Sequence, residues 1–198
     1  IRELTKEYDG NRERVAIEIA KIVCAESYLY GEIVDCSDCG GSGEIKKGNW
    51  VSECYTCGGS GNSMGFKDEI GVSAWRDTLS LFAEKKKSPL WKLGDDTQFL
   101  AELAIYHGVC AGLAVLTEGI LVAPLEGVVS ARFLTNEDGS PSLAISFAGP
   151  IRSAGGTGQA LSVLIADILR RDFGLKNPIM TFEEVERYKE ETGAYARG

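Results

Sequence analysis

Two copies of one cysteine-rich pattern stand close together in the first third of the chain. The stretches CSDCGGSG at 36–43 and CYTCGGSG at 54–61 each place two cysteines three positions apart, with fourteen residues between the pairs. A CxxC turn directs two thiolates toward one corner of a tetrahedron, and glycines allow the tight reversal that a metal knuckle requires. The pattern predicts one closed zinc site with four thiolate ligands: Cys36, Cys39, Cys54 and Cys57.

The residues alone do not exclude three other roles for the four cysteines, namely two disulfides, a redox-active dithiol pair and an iron–sulfur cluster. Zinc is favoured because both pairs repeat at a spacing that suits one ion. Six cysteines, of which Cys24 and Cys110 stand alone, also fit a reducing interior better than a secreted disulfide framework. A site of four cysteines leaves no position for water, so its predicted role is to stabilise a module too small to have a core.

A second candidate site lies in FAGPIRSAGGTGQALSVLIAD at 147–167, between a strand-like run and an amphipathic helix. A helix N-terminus presents unpaired amides that attract anions, and an arginine and hydroxyls can add hydrogen bonds to a phosphate. The segment fits neither the Walker A nor the GxGxxG pattern. A phosphate contact and a turn that only lets the helix pack on a hairpin are therefore equal alternatives. The candidate contacts are Arg152, Ser153, Gly155, Gly156 and Thr157.

Other residues whose side chains could take part in chemistry are predicted to have structural roles. His107, the only histidine, shares a predicted helix face with apolar residues, so we expect a core or near-core histidine. Cys24 is expected to be a small buried hydrophobe. We assign no catalytic residue to the chain, because its candidate carboxylates occupy positions typical of solvated surface or helix caps: Asp167, Asp172, Glu183 and Glu184.

The elements around these sites predict an α+β fold, with helices packed on a β-hairpin or small antiparallel sheet, plus the inserted zinc knuckle. A helix is predicted at about 11–25, capped by Asp9 or Asn11, and the clearest helix runs from Thr97 to Glu118 and stops at Gly119. A short helix is expected before Pro89. Hairpins are predicted between the cysteine pairs and around the turn at Asp138 and Gly139, with Val129, Ala131 and Phe133 on one face and Leu143, Ile145 and Phe147 on the other strand.

Two helices are predicted after the glycine-rich turn. The first ends at Gly174, and the second has Thr181 and Glu184 in capping-box register and ends at Gly193. The buried stripe of the first is predicted as Leu161, Leu164, Ile165 and Ile168. We divide the chain into a helical segment at 1–30, a zinc-binding insertion at 31–66 and an α+β domain at 67–198.

Composition limits the function classes. A formal charge of -8 argues against nonspecific electrostatic binding of DNA or RNA over a large surface, although it permits a local basic site. We expect that no apolar run is long enough to span a membrane and that the chain has no signal peptide. We expect a cytoplasmic protein. The chain stops at GAYARG without a natural end signal, so we expect a piece of a longer protein.

The CxxCxGxG form resembles the zinc-binding repeats of DnaJ-type chaperones, in which four copies bind two ions. Only two copies stand here, and no J-domain pattern surrounds them. This resemblance supports the zinc and implies nothing about chaperone activity.

A longer part of the chain closely resembles the N-terminal region of the large subunit of archaeal family D DNA polymerase. The stretches TEGILVAPLEG at 117–127 and FAGPIRSAGGT at 147–157 carry the resemblance, which covers about 1–25 and 97–195 and omits 31–66. It implies a replicative heterodimer that acts on primer–template DNA, with a small exonuclease subunit as partner and the sliding clamp as a further one. It also implies Mg²⁺ held by two aspartates downstream of this region. The alternative is a zinc-stabilised module that docks a partner subunit without touching DNA.

Overall fold

The protein's computed structural model describes residues 2–54, 61–66, 79, 82–83, 94–116, 127–148 and 156–195. Over these residues the chain forms helices and three two-stranded antiparallel sheets, which confirms the α+β class. The elements are α1 (Arg2–Glu7), α2 (Arg12–Tyr30), β1 (Gly31–Asp35), β2 (Glu44–Lys47), β3 (Trp50–Glu53), β4 (Asn62–Phe66), α3 (Gly94–Leu116), β5 (Val128–Thr135), β6 (Pro141–Phe147), α4 (Gly156–Asp172) and α5 (Phe182–Tyr195). Leu79, Phe82 and Ala83 are helical and fall in the short helix predicted before Pro89.

Helix α2 begins where the sequence predicts and ends later. The Asn11 side chain accepts a hydrogen bond from the Arg14 N–H at 2.9 Å, which makes Asn11 the N-cap. The helix continues to Tyr30, beyond the predicted end at about 25. Ser27 is buried and Tyr28 packs against the core, so tertiary contacts keep the last turn helical.

Helices α2 and α3 pack closely because small residues face one another. A Cβ added to Gly108 would lie 2.7 Å from the Ala20 carbonyl oxygen and 2.9 Å from Cys24 Cβ. A Cβ added to Gly112 would lie 3.1 Å from the Ala16 carbonyl oxygen. Small residues occur at every fourth position on the facing sides of both helices, so the two backbones come nearly into contact. Cys24, also in this contact, is 1% exposed and is therefore the buried hydrophobic residue that the sequence predicts.

Helix α3 is the centre of the core. It packs against α2, α4 and β5, and its fully buried residues include Ala101, Ile105 and Leu113. Thr97–Leu116 is long and apolar enough to span a membrane by length and composition, so the expectation that no run approaches this length is wrong. Burial in the core gives a physical reason for its apolar character. The predicted stop at Gly119 lies outside the described residues.

The β5–β6 hairpin forms as predicted except at its start. Ala131 pairs with Ile145 and Phe133 with Leu143, and these residues face the core. A register shift between Val128 and Ser130 is a β-bulge. The bulge reverses the alternation, so Val128 is buried and Val129, predicted to share the face of Ala131 and Phe133, is 49% exposed.

Helix α4 buries a different stripe from the predicted one. Ile165 is buried, but Leu164 is 52% exposed, and Leu161 and Ile168 are only half-buried. The stripe is rotated because small residues take part in the contact with the core; its buried members are Ser162, Ile165, Ala166, Leu169 and Arg170.

Of the three helix boundaries predicted on α4 and α5, two are confirmed and one is wrong. Gly174 ends α4 as predicted, with φ +71°, and the Leu175 N–H donates to the Arg170 carbonyl at 3.1 Å in a Schellman motif. The predicted capping box also forms: the Thr181 N–H donates to Glu184 Oε2 at 2.8 Å, and the Glu184 N–H donates to Thr181 Oγ1 at 3.2 Å. Gly193 does not end α5, which runs through it to Tyr195.

A buried carboxylate joins α3 to the hairpin. Glu102 Oε1 accepts the Phe133 backbone N–H at 2.7 Å and the Gln98 side-chain amide at 3.1 Å, and Glu102 Oε2 lies 3.5 Å from Arg132 Nη1. Glu102 is 6% exposed. It therefore satisfies a backbone donor of β5 that does not pair with β6.

Glu102→Ala is expected to destabilise the protein by about 1–3 kcal/mol, because the Phe133 N–H then loses its acceptor. Glu102→Gln keeps an acceptor oxygen and should cost less. Urea unfolding of the two variants measures the difference. Equal loss in both would show that charge, rather than the hydrogen bond to Phe133, carries the effect.

An acidic side chain on α4 lies between two arginines. Asp167 Oδ1 accepts from Arg170 Nε at 2.9 Å, and Asp167 Oδ2 lies 2.5 Å from Arg171 Nη2. The hydrogen bond from Arg170, with the charges of both arginines, holds the pKa of Asp167 below its usual value. Its stabilisation is thus present above the unfolded-state pKa and is lost as the pH falls through the lower folded-state pKa.

Asp167→Asn should therefore reduce the free energy of unfolding near neutral pH. The difference from the wild type should shrink below about pH 4, where the carboxyl of the unfolded chain begins to protonate. Urea unfolding across the acid range tests this, with the exposed Glu137→Gln as control. A difference that is constant with pH would contradict the ion-pair explanation.

Candidate metal centre

The first and last residues of the two cysteine patterns have equivalent surroundings. Each first cysteine directly follows a strand, Cys36 after β1 and Cys54 after β3, and each last glycine directly precedes one, Gly43 before β2 and Gly61 before β4. The Cys36 N–H donates to the Gly61 carbonyl at 2.8 Å, and the Cys54 N–H donates to the Gly43 carbonyl at 2.8 Å. These reciprocal bonds connect the two copies, and β1 pairs with β4 while β2 pairs with β3.

Three of the four predicted ligands come together. The sulfur atoms of Cys36, Cys39 and Cys54 all lie within 4.8 Å of one another, and Cys36 Sγ and Cys54 Sγ are 3.9 Å apart. Cys36 and Cys54 are fully buried, and Cys39 is partly buried. The fourth predicted ligand, Cys57, lies outside the described residues. The cluster can hold a metal ion, and three thiols with this spacing are typical of zinc ligands.

Glycines permit this close arrangement. Gly43 has φ +74°, and its N–H donates to Cys39 Sγ at 3.3 Å, as expected of a knuckle whose amides turn toward sulfur. Gly61 has φ +77°, and a Cβ there would lie 2.3 Å from the Gly41 carbonyl oxygen. The last glycine of each copy is thus required, at Gly43 and Gly61 by the positive φ and at Gly61 also by the close approach of Gly41.

The buried thiol of Cys36 resists ionisation in the absence of a metal. Burial raises the pKa of the Cys36 thiol to about 11. A cation bound among the three sulfurs would favour the thiolate, so metal binding must release protons. Among the described residues of the module, Ile45 is the apolar side chain that packs against the cluster, and it is only partly buried.

The predicted phosphate site is described only in part. Gly156 and Thr157 are the first residues of α4, and both are exposed at its N-terminus. Arg152, Ser153 and Gly155 lie outside the described residues. The described portion is therefore a helix N-terminus open to solvent, and the choice between a phosphate contact and a packing turn stays open.

His107 occupies a structural position, as the sequence predicts. Its Nδ1 lies 3.3 Å from Ser27 Oγ on α2, and burial lowers its pKa, which favours the neutral imidazole. The face that it shares with other residues of α3 borders the core, since Leu103 and Cys110 are half-buried and Ala114 is exposed.

Sequence reasoning missed two sets of residues. Glu102 was not singled out, because nothing in the sequence distinguishes a buried glutamate from a surface one. The close contact at Gly108 and Gly112 has a readable signal, which is the spacing of four between small residues on α3 and again between Ala16 and Ala20 on α2.

Comparison with known proteins identifies the class to which the α+β part belongs. The family described as DNA polymerase II large subunit DP2, N-terminal, matches residues 92–198. Since this is more than half of the chain, the chain belongs to that family. The match includes α3, the β5–β6 hairpin, α4 and α5, and it leaves out the cysteine module at 31–66.

Individual relatives agree with this assignment. The DNA polymerase II large subunit of Thermoplasma volcanium is 45% identical over 131 residues, which cover 66% of this chain and 11% of the relative. That of Picrophilus torridus is 49% identical over 129 residues, 65% of this chain and 11% of the relative. That of Methanococcus maripaludis strain C5 is 51% identical over 98 residues, 50% of this chain and 9% of the relative. The chain thus spans about a tenth of the length of these curated relatives.

Proposed function

We propose that this chain is the N-terminal part of the large subunit of a family D DNA polymerase and that it serves template-directed DNA synthesis. The observation that carries the proposal is the family match over 92–198, supported by relatives named DNA polymerase II large subunit. The match contains α3, the hairpin and α4, which form the main core together with α2. The role of this part is to build the scaffold beside DNA, and the aspartates that bind Mg²⁺ for nucleotide addition are proposed to lie outside it.

The cysteine module is proposed to bind one structural zinc ion through Cys36, Cys39, Cys54 and Cys57. Support comes from three clustered thiols and from the equivalent hydrogen bonds that connect the ends of the two copies. In the sequence, Cys57 occupies the position of the second copy that Cys39 occupies in the first. Four thiolates complete the tetrahedron that zinc prefers and leave no position for a reacting water. The division into 1–30, 31–66 and 67–198 is kept as a proposal, with α2 sharing the core of the third region.

The segment before α4 is proposed to contact a phosphate of the DNA or of an incoming nucleotide, with Arg152 as the charged partner and Ser153, Gly155, Gly156 and Thr157 beside it. The exposed N-terminus of a helix of 17 residues supports this, because the N-terminal end of a helix dipole attracts anions. Arg152→Ala in the complete polymerase should weaken primer extension and reduce its salt dependence. Unchanged extension at every salt concentration would remove the proposed contact.

Partners follow from the polymerase proposal. They are primer–template DNA, the small exonuclease subunit and the sliding clamp, in the cytoplasm and away from membranes. The alternative function is a zinc-stabilised module that docks the small subunit without contacting DNA. The charge of -8 and the exposed apolar face of α5, which includes Phe182 at 78% exposure and Val185, favour that alternative.

Primer extension by the complete large subunit, assembled with the small subunit, tests the proposed function. We expect extension that requires Mg²⁺ and template. Binding of the 198-residue chain to primer–template DNA and to the small subunit, each at low and moderate salt, then separates the two functions. The polymerase scaffold requires a DNA contact in the complete enzyme, whereas the docking module requires only binding to the subunit.

A further inference from the structure

The hairpin between the two cysteine pairs ends in an exposed basic and aromatic tip. Strands β2 and β3 are joined by Gly48, at φ +63°, and Asn49. Trp50 is 75% exposed and Val51 is 53% exposed, so two large apolar side chains stand in solvent at the start of β3. This part of the chain therefore has a surface that its own fold does not use.

The strand register groups these side chains. Lys47 pairs with Trp50, and Lys46 pairs with Val51. Directly opposite residues of an antiparallel pair lie on the same face of a sheet, so the indole of Trp50 has a lysine beside it. Both lysines are exposed. The tip thus has Trp50 and Lys47 on one face and Val51 and Lys46 on the opposite face. It combines a flat apolar ring with a positive charge beside it and a second one across the strand, in a chain whose net charge is -8.

The base of the hairpin is held by the cysteine cluster. Ile45, two positions before Lys47 and on the same face, packs against the buried cysteines. The Cys54 N–H, next to the end of β3, donates to the Gly43 carbonyl, next to the start of β2. A bound metal would fix this end of the hairpin, so the tip would be held in place without a hydrophobic core beneath it.

The chemistry of the tip selects its partner. An exposed indole offers a stacking platform for another flat ring, and the lysines offer charge to neutralise anions at a short distance from that ring. An unpaired nucleotide presents both, a base with an open face and a phosphate. A duplex hides its base faces by stacking, so it would meet only the lysines.

We propose that the β2–β3 tip binds single-stranded DNA, with Trp50 stacking on a base and Lys47, on the same face, neutralising the phosphate beside it. Lys46, on the opposite face, neutralises a phosphate where the strand passes around the tip. The proposal rests on the proposed function, which brings unpaired template DNA to this subunit. It assigns the cysteine module a direct role in holding DNA, beyond the structural role of the metal itself.

Fluorescence anisotropy of the complete large subunit with a labelled single-stranded oligonucleotide, and with a duplex of the same length, tests this. Trp50→Ala should raise the Kd for the single strand about tenfold and leave the Kd for the duplex nearly unchanged, because the variant has no ring on which a base can stack. Trp50→Phe should restore most of the affinity. The matched control is Phe182→Ala on α5, which removes an equally exposed aromatic ring and should change neither Kd.

The double variant Lys46→Gln, Lys47→Gln should weaken single-strand binding. It should also reduce the slope of log Kd against log salt concentration by about 0.7 for each phosphate that the lysines no longer neutralise. Lys176→Gln, at an exposed position elsewhere, is its control. Zinc content and melting temperature equal to those of the wild type show that each variant is folded.

Three outcomes would overturn the inference: Trp50→Ala behaving as Phe182→Ala does, an equal loss for duplex and single strand, or a loss confined to binding of the small subunit. Wild-type primer extension separates the two failures. If the wild-type enzyme extends the primer and Trp50→Ala binds the single strand as tightly as the wild type, the tip contact is rejected and the polymerase function is retained. Absence of extension rejects the polymerase, while the anisotropy still reports on the tip.

Discussion

Replacing Cys54 by serine is expected to leave the protein without bound zinc. The Cys54 sulfur is buried and lies 3.9 Å from that of Cys36, and both lie within 4.8 Å of that of Cys39. A serine hydroxyl is a poor zinc ligand and stays protonated, so the site loses both a donor and a charge. Apparent binding free energies for structural zinc in small modules are about 10–16 kcal/mol, which makes this the largest effect expected of any single substitution here.

Metal analysis after reducing, chelator-free purification measures the result. We expect one zinc per chain in the wild type, near none in Cys54→Ser, and a zinc content unchanged in Cys110→Ser, since Cys110 lies on α3 outside the module. Zinc-edge X-ray absorption should show only sulfur neighbours, at about 2.3 Å. Wild-type protein without zinc, or Cys54→Ser with a full ion, would contradict the proposed site.

The same substitution should loosen the module more than the rest of the chain. The cysteine cluster is separate from the main core, and helix α3 lies at the centre of that core. Limited proteolysis should therefore cut Cys54→Ser first within 31–66, because the lost ion would have held the cysteine turns together. Simultaneous cleavage throughout the chain would instead show that the metal also supports the main core.

Substituting Gly108 by alanine is expected to destabilise the protein, by about 1–3 kcal/mol for an overpacked contact. In most helices Gly→Ala is favourable by about 1 kcal/mol, so helix propensity predicts the opposite sign. Packing should prevail here because the new Cβ would lie 2.7 Å from the Ala20 carbonyl oxygen, and backbone atoms cannot move aside as a side-chain end can. Helices α2 and α3 would have to separate.

Two further glycines provide a graded comparison in urea unfolding. At Gly112 the nearest atom to a new Cβ is Ile165 Cδ1, at 2.9 Å, the far end of a flexible side chain, so Gly112→Ala should cost less than Gly108→Ala. Gly156, the first residue of α4, has no atom within 4 Å of a new Cβ, and Gly156→Ala should be neutral or stabilising. If Gly108→Ala stabilised the protein as much as Gly156→Ala does, the close packing of α2 and α3 would be wrong.

Local signals in the sequence predicted local structure well. The N-cap at Asn11, the capping box at Thr181 and Glu184, and the hairpin between the cysteine pairs all depend on residues a few positions apart, and all form. Three of the four predicted cysteines also come together, as the repeated CxxCGGSG pattern at a fixed spacing indicates.

Features that depend on distant contacts were not predictable in the same way. The bulge that exposes Val129 follows from how β5 enters its pairing with β6, which no residue pattern reveals. Leu164 is exposed because the small residues Ser162 and Ala166 turn toward the core in its place. Gly193 continues a helix because its backbone does not adopt the left-handed conformation that a glycine stop requires.

The function was accessible through resemblance rather than through site chemistry. The residues alone leave the segment before α4 undecided between a phosphate contact and a packing turn. The stretches that resemble a polymerase subunit instead identify the family, and the family match over 92–198 agrees with them.

Template-dictated nucleotide addition tests the polymerase assignment most directly. The complete large subunit, assembled with its small subunit, is given a primer–template and one deoxynucleotide at a time, with Mg²⁺ present. We predict that the primer grows only with the nucleotide complementary to the template base, and that changing this base changes which nucleotide is added. Absence of addition by an enzyme that binds the primer–template, or addition that ignores the template base, would contradict the assignment.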